Sequence, residues 1–408
     1  MKVILVEPYA HRIGHYGVEA WHLAQSLSSK GVNIILVSFD GFINKGNPEI
    51  VQNKIKHISF SSDAGVITKL LVLFLHKFLS LINYSRLINR MITILETFST
   101  LQIADKISRN ERDDIIYCND GELIGFFLYA SSVSQKKFLF KRVDYAGTFS
   151  STGFGRKSKR YIEDWLCRKT IRNNKVIFTC SVEGLTNLYQ EMGFPGDCVY
   201  APPQGVLKPE KKIDKSEARS YLNIPMNETV LLVFGTGHGG KDFDTILSAN
   251  LNADRRYLIL FAGKVSLSNG NGPEKLARKY NSENISVVDK FIPEHEVPYY
   301  FNAADGLLLS YKRDFTEDSA VLLQGVSYGL PIIASNTGWI GETITNKGLG
   351  MTFDSENPSS LKEAIEKFLQ LNEDSETRIR ENMQRFAESF SWDRVVDEDI
   401  KLMTELQQ

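Results

Sequence analysis

Short apolar runs alternate with segments of helical periodicity, and this alternation is laid down twice along a chain of 408 residues. Residues 3–6 form a first apolar run that closes at Pro8. A loop containing Gly14 and Gly17 follows, and then the segment GVEAWHLAQSLSSKG. Its Val18, Trp21, Leu23, Ala24 and Leu27 fall mostly on one helical face, and Gly31 is a natural stop. NIILVSF then reads as a buried strand. A strand, a helix and a second strand joined in this way build a parallel sheet, whose ligand face lies at the carboxyl ends of its strands.

The pattern continues with DDIIYCND, KKFLFKRVDY, KVIFTCS, the helix VEGLTNLYQEMG and the strand of CVYAPPQGV. Residues 207–219 are polar and charged, with Leu207 and Ile213 as their bulky apolar residues, and read as a linker. After them the alternation restarts with ETVLLVFGTG, KDFDTILSANL, YLILFAG, PEKLARKYN, ISVVDKF, HEVPYYFNAA, GLLLSY, DSAVLLQGVSYG, PIIAS and GMTF, and it ends in helices. The expected fold class is α/β, with two doubly wound, Rossmann-like halves in tandem: residues 1–205 and 206–390, followed by a helical tail over 391–408. No period of 20–50 residues marks a solenoid.

Hydrophobic residues make up 42% and charged residues 24%, which excludes disordered, collagenous and disulfide-scaffold chains. The net charge of −1 gives no global basic field of the nucleic-acid-binding kind. The balance is nevertheless uneven. Residues 1–205 carry 25 Lys and Arg against 18 Asp and Glu, and the remainder 23 against 31. A basic first half suits an anionic contact, and chance scatter is the plainer alternative. Cys118, Cys167, Cys180 and Cys198 show neither a C-x-x-C pair nor zinc spacing, and read as buried thiols of a reducing compartment. The first residues lack the apolar core and cleavage site of a signal peptide. Residues 66–98 are strongly apolar, but Lys69, His76, Lys77, Arg86 and Arg90 interrupt them. No membrane-spanning helix is expected on that count. An amphipathic segment lying on an anionic bilayer and an ordinary core helix with a basic rim both fit.

Three elements carry candidate chemistry. The first is Gly14-His15-Tyr16-Gly17 between a strand and a helix, where glycines allow close backbone approach and the helix start attracts an anion. The second is Gly235-Thr236-Gly237-His238-Gly239-Gly240-Lys241, again between strand and helix and suited to phosphate oxygens. It is not a Walker A loop, because Asp242 follows the lysine where Ser or Thr is required. The plainer reading makes both loops tight strand-to-helix turns. The third follows the strand GLLLSY: Glu317 and Asp318 precede a helix capped at Asp318 or Ser319, Ala320 opens it, and Gln324 lies within it. Their acceptors can hold sugar or ribose hydroxyls, or they can serve only as cap and dipole partners.

The order of GVEAWHLAQSLSSKG, VYAPPQGV, VFGTGHGGKDFDTI, FIPEHEVPYYFNAADGLLLSY, LLQGVSYGLPIIASNTGWIGETI and FSWDRV resembles that of the GT-B glycosyltransferases, and within them glycosyltransferase family 4. The resemblance spans nearly the whole chain and is strongest over residues 230–355. It implies two Rossmann-like domains facing each other across a cleft, an acceptor-binding domain over 1–205, a nucleotide-sugar-binding domain over 206–390, and a C-terminal helix over 391–408 returning to the first domain. It also implies retaining transfer of a sugar from a nucleotide-sugar donor. Lys241 and Gly235 match the family's diphosphate-holding lysine and glycine, while Thr236 stands where the family has arginine. The family's two glutamates fall on Thr316 and Gln324, with Glu317 one position from the first. Asp144 lies near the place of the family's N-domain histidine, and His15 sits in the first glycine loop. Backbone near Phe291 and Ile292 is the expected base-binding region.

The resemblance therefore implies Lys241, Asp144 and Glu317 as catalytic residues. The expected donor site comprises Gly14, His15, Gly17, Gly235, Thr236, Gly237, Lys241, Phe291, Ile292, Glu317, Asp318, Ser319, Ala320 and Gln324. Lys241 and the glycine-loop amides would stabilise the departing diphosphate, with Lys264 or Arg313 standing in for the missing arginine. No metal and no cofactor are expected. The partners expected are a nucleotide-sugar and a glycan or lipid-linked acceptor, with anionic membrane contact through residues 66–98 and no nucleic acid. The setting expected is cytoplasmic, at the inner face of the membrane, in bacterial surface polysaccharide or glycolipid synthesis. The competing readings are a catalytically inactive GT-B protein that binds a glycan or partner, and another nucleotide-sugar enzyme such as an epimerase.

Overall fold

The computed structural model describes residues 1–10, 16–38, 55–59, 85–108, 114–141, 154–182, 184–202, 205–206, 213–237, 239–249, 257–265, 284–315 and 318–408. The chain divides into two compact units. One contains residues 1–204 together with 392–408, and the other residues 205–391.

In the first unit, β1 (Lys2–Glu7), β2 (Asn33–Ser38), β3 (Ile55–Ser59), β4 (Ile115–Cys118), β5 (Lys137–Phe140), β6 (Lys175–Cys180) and β7 (Cys198–Tyr200) form one sheet in the order β3-β2-β1-β4-β5-β6-β7. All its pairings are parallel. Helices α1 (Tyr16–Ser29), α2 (Ser85–Ser108), α3 (Leu123–Ala130), α4 (Phe154–Asn173) and α5 (Leu185–Glu191) lie between the strands in sequence. Strand side chains alternate between faces, so both faces need cover. Ile4, Val6, Ile116, Phe138, Phe140 and Phe178 pack with Phe126 and Phe127 of α3 and Leu166 and Cys167 of α4. Val3, Leu5, Leu36, Tyr117 and Leu139 pack with Ala20, Leu23 and Leu27 of α1.

The C-terminal helix α13 (Trp392–Gln407) completes that second layer with Val396, Met403 and Leu406. It also brings in a buried charge. Asp399 accepts hydrogen bonds from the Tyr117 hydroxyl at 2.7 Å and from Lys141 Nζ at 2.8 and 3.1 Å. The Lys141 and Asp399 side chains are each 1% exposed. Burial pushes the Asp399 carboxyl above its ordinary value, and Lys141 pulls the other way.

The second unit repeats the plan. β8 (Thr229–Phe234), β9 (Tyr257–Gly263), β10 (Ile285–Asp289), β11 (Gly306–Leu309), β12 (Ile332–Ser335) and β13 (Gly350–Phe353) form a parallel sheet in the order β10-β9-β8-β11-β12-β13. The helices are α6 (Lys215–Leu222), α7 (Phe243–Ala249), α8 (Val297–Ala303), α9 (Ala320–Ser327), α10 (Gly338–Lys347), α11 (Pro358–Leu369) and α12 (Glu373–Ser389). One layer joins Leu231, Val233, Leu308 and Ile333 to Phe243, Ile246, Leu361 and Ile365. The other joins Val230, Leu232, Leu307 and Leu309 to Tyr300, Phe301, Leu322 and Met383.

Two expectations need correction. Residues 215–219 are not linker but the start of α6. Arg219 is buried, because its guanidinium donates to the carbonyls of Ala303, Pro225 and Met226 and to Asp305 Oδ2 at 2.8 Å. A charged segment can therefore be core when its charge is fully bonded. On α1, Val18 is exposed and Trp21 half-buried, while Ala20 and the carboxylate-bearing Glu19 face inward. Within residues 66–98, those up to 84 lie outside the described residues. From Ile92 onward α2 packs inward, and Arg90 pairs with Glu122 at 3.1 Å. The helix expected over PEKLARKYN also lies outside the described residues. All four cysteines are free and buried.

Candidate functional site

In each sheet the chain first moves outward on one side of its opening strand and then returns to build the other side. The reversal falls between β1 and β4 in the first unit and between β8 and β11 in the second. Connections leave in opposite directions at such a point, which opens a crevice at the carboxyl ends of the two strands.

In the second unit this place is built around Lys241. β8 ends at Gly235, where φ is +96°, a backbone state that favours glycine. The loop turns back and Lys241 forms a single antiparallel bridge with Tyr311, just beyond β11. The amide of Asp242 donates to Ser310 O at 3.0 Å and that of Lys312 to Gly240 O at 2.9 Å. Lys241 is only 5% exposed, and its ammonium has no hydrogen-bond partner among the described residues. Nζ rests 4.3 Å from the centroid of the Tyr311 ring. A cation over an aromatic face is attracted to its π-electrons, but that contact leaves three N–H donors unspent. A desolvated ammonium without an acceptor is costly, so its geometry suits an anionic oxygen supplied from outside.

The Tyr311 ring is fixed on several sides. It stacks on Phe315 at 4.3 Å, its hydroxyl meets Ser319 Oγ at 3.1 Å, and its amide donates to Ser335 Oγ at 2.7 Å. Thr337 Oγ1 reaches the carbonyls of Arg313 and Phe315 at 2.9 and 3.0 Å, which ties down the loop between them. Ser319 is the N-cap of α9 and accepts from the Leu322 amide at 3.3 Å. Asp242 caps α7 by accepting from the Thr245 amide at 3.2 Å, leaving Oδ2 unpartnered among the described residues. The Ser310 hydroxyl is likewise buried and unpartnered among them.

The glycine loop behaves differently from the expectation. The Gly235 amide donates to Ala262 O and the Gly237 amide to Lys264 O, both at 2.9 Å. These two donors hold the loop against the end of β9 and are not aimed at a ligand. A Cβ on Gly237 would lie 2.3 Å from Val265 O, so glycine there answers a backbone approach within the fold. Of the remaining expected residues, Thr236 lies in this loop. Asp318, Ser319 and Ala320 form the start of α9, and Gln324 is half-buried within it. Phe291 is exposed and Ile292 buried just past β10. Gly17 is buried in the first turn of α1. Lys264 pairs with Asp289 at 3.7 Å and Arg313 with Glu356 at 4.0 Å. Gly14, His15, Asp144 and Glu317 lie outside the described residues.

In the first unit the corresponding place holds Glu7, which the sequence reading passed over. Its carboxylate is fully buried and accepts from the Tyr9 amide at 3.1 Å and from Asn119 Nδ2 at 3.0 Å. Burial pushes its carboxyl well above the ordinary range, and Asp120 and Glu19 add to the rise. The available signal was an acidic residue closing the apolar run VILV of strand β1. Tyr311 was equally legible as the residue just past an apolar strand, on the ligand side of a parallel sheet. Among the described residues, no group of three or more His, Cys, Asp or Glu is placed to hold a metal ion. No described helix is long and apolar enough to cross a membrane.

Two parallel sheets with this strand order, one per unit, define the architecture of the GT-B glycosyltransferases. Residues 214–386 match the sequence model of the family described as Glycosyl transferases group 1, and the fold is of the GT-B type. A sucrose-phosphate synthase from Thermosynechococcus elongatus superposes with a TM-score of 0.71 at 16% identity, covering 100% of this chain and 99% of that one. Anabaena HepE in complex with UDP and glucose superposes with a TM-score of 0.68 at 14% identity, covering 99% and 100%. A D-inositol 3-phosphate glycosyltransferase of Corynebacterium jeikeium is 26% identical over 198 residues, 46% of each chain. The chain spans less than half the length of the curated relatives it matches.

Proposed function

We propose that the protein is a retaining glycosyltransferase that moves a sugar from a nucleoside-diphosphate sugar to a glycan or lipid-linked acceptor, in bacterial surface polysaccharide or glycolipid synthesis. The observation that carries this reading is Lys241, a buried ammonium without an acceptor among the described residues, at the strand-order reversal of the second unit. HepE binds UDP and glucose within the same fold, which supports a nucleotide-sugar as the ligand.

In this reading the second unit holds the donor, with the diphosphate against Lys241 and the start of α9. As the bond from C1 to the phosphate oxygen breaks, its electron pair passes to the diphosphate, and the Lys241 ammonium stabilises the growing charge. The acceptor oxygen bonds to C1 on the same face, and its proton passes to the departing phosphate. Tyr311 positions Lys241 and touches no substrate. Ser319, Ala320, Gln324 and Glu317 hold donor hydroxyls or phosphate, Asp144 orients the acceptor, and no metal takes part. The first unit holds the acceptor, and the protein works in the cytoplasm at the membrane's inner face.

A second reading is binding without transfer, favoured by Thr236, Thr316 and Gln324 at the places of charged family residues. A panel of UDP-, GDP- and ADP-sugars with glycan and polyprenyl-diphosphate acceptors separates the two. Release of a nucleoside diphosphate, with the donor anomer kept in the product by NMR, supports transfer. Saturable nucleotide binding with no release from any donor supports the second reading.

A further inference from the structure

Resting on the reading that the first unit holds the acceptor, we propose that Asn119, at that unit's strand-order reversal, binds a hydroxyl group of an uncharged acceptor sugar. Asn119 lies one residue beyond β4, and its backbone amide donates to Val6 O at 3.1 Å, so the two strand ends stay paired there. Its side-chain nitrogen donates to Glu7 Oε2 at 3.0 Å. That bond orients the amide group and leaves Oδ1 as the spare atom. Asn119 is 1% exposed, and Oδ1 has no hydrogen-bond partner among the described residues. A buried amide oxygen without a donor is costly, so the place suits a ligand that brings an O–H of its own.

The neighbouring charges select the class of sugar. Glu7 spends its oxygens as acceptors, one toward Asn119 and one toward the Tyr9 amide. Among the described residues, the charges that bear on Glu7 are those of Asp120 and of buried Glu19, and both are acids. A sugar phosphate would meet like charge here, where burial weakens screening by water. The acids do not form a metal cluster either, since no group of three or more His, Cys, Asp or Glu among the described residues is placed to hold an ion. A neutral sugar hydroxyl supplies the donor that Oδ1 lacks and brings no charge to be repelled. The second unit offers the opposite chemistry, with the Lys241 ammonium waiting for an anion. The two crevices thus sort an anionic donor from an uncharged acceptor.

The test uses the full chain and pairs of probes that differ by one phosphate: methyl glucoside, methyl mannoside and myo-inositol, each against its monophosphate. Saturation-transfer NMR reads binding without turnover, and transfer from whichever donor is active reads kcat and KM. The uncharged member of at least one pair should bind, and its phosphate should bind about tenfold or more weakly. Asn119→Ala should weaken binding of that sugar on the order of tenfold, with the loss appearing in KM more than in kcat. Glu7→Gln lets the Asn119 amide turn over, so that the new side-chain nitrogen donates to Oδ1 and Nδ2 becomes the spare atom. That variant should bind the uncharged sugar less well and discriminate less against its phosphate. Circular dichroism checks that both variants are folded. A phosphate that binds as well as its uncharged partner overturns the proposal. So does the absence of binding by every uncharged probe, and so does a folded Asn119→Ala protein that binds the sugar like the wild type. A protein that binds no UDP, GDP or ADP and releases none from any donor fails the glycosyltransferase reading instead, and the NMR comparison still decides whether Asn119 holds a sugar.

Discussion

Replacing Lys241 by methionine should make the ligand-free protein more stable and the liganded protein weaker. Methionine keeps most of the length of the lysine stem and its packing, and it removes one charge. Lys241 is 5% exposed and its Nζ finds no acceptor among the described residues, with the Tyr311 ring at 4.3 Å as its electrostatic contact. Desolvating an ammonium costs several kcal/mol in a real protein. A desolvated cation–π contact returns about 2 kcal/mol. The difference leaves about 1–3 kcal/mol of strain that Lys241→Met relieves. For a unit of this size each kcal/mol moves Tm by about 2–4 °C. The same change removes a charged hydrogen bond to the diphosphate, worth about 1.5–3 kcal/mol, or about ten- to a hundredfold in affinity. Calorimetric melting and titration with UDP, GDP and ADP read the two effects separately. A variant that melts lower than the wild type yet binds the diphosphate undiminished would refute the reasoning, because it would make Lys241 an ordinary structural residue.

Further predictions concern the two units separately. Asp399→Ala leaves the Lys141 ammonium buried without its counter-ion and should cost about 3–5 kcal/mol by urea denaturation. Lys141→Met combined with Asp399→Leu should recover most of that, and a double variant as weak as the single would contradict the account. Glu7 has a raised carboxyl pKa in the folded state, so the folded protein holds that proton more tightly than the unfolded chain. Its contribution is fully present below the ordinary carboxylate range and is lost as pH rises through the folded value. Relative to wild type, Glu7→Gln should therefore gain stability steadily from acid toward neutral pH, and a pH-independent difference would show that Glu7 does not titrate in this way. Gly237→Ala places a Cβ 2.3 Å from Val265 O and should destabilise the second unit by about 1–3 kcal/mol, measured by denaturation.

Most strands were legible because each is a short apolar run bounded by turn residues, and in a sheet covered on both faces that signal is strong, whereas β3 was not read because Lys56 and His57 interrupt its run IKHIS. The helix caps were legible where a side chain does the capping, as Ser319 shows. The linker expected over 207–219 overran into α6 because composition treats arginine as solvated, while Arg219 spends its donors on three carbonyls and Asp305. Glycines at 235 and 237 signalled a special loop correctly, but their amides turn toward β9, and a sequence does not say which way a turn's donors point. Lys241 was visible as a lysine after glycines. Its burial, and the Tyr311 ring beneath it, come from the pairing of two loops 70 residues apart, which no local pattern encodes. Glu7 was missed for the same reason, since Asn119 reaches it from another strand end.

The central claim is that Lys241 waits for the diphosphate of a nucleotide-sugar. A crystal structure of the protein with a bound nucleoside diphosphate tests it most directly. The account predicts a phosphate oxygen within hydrogen-bond distance of Lys241 Nζ, beside the start of α9. A diphosphate held elsewhere on the chain, with Lys241 still resting on Tyr311 alone, would contradict it.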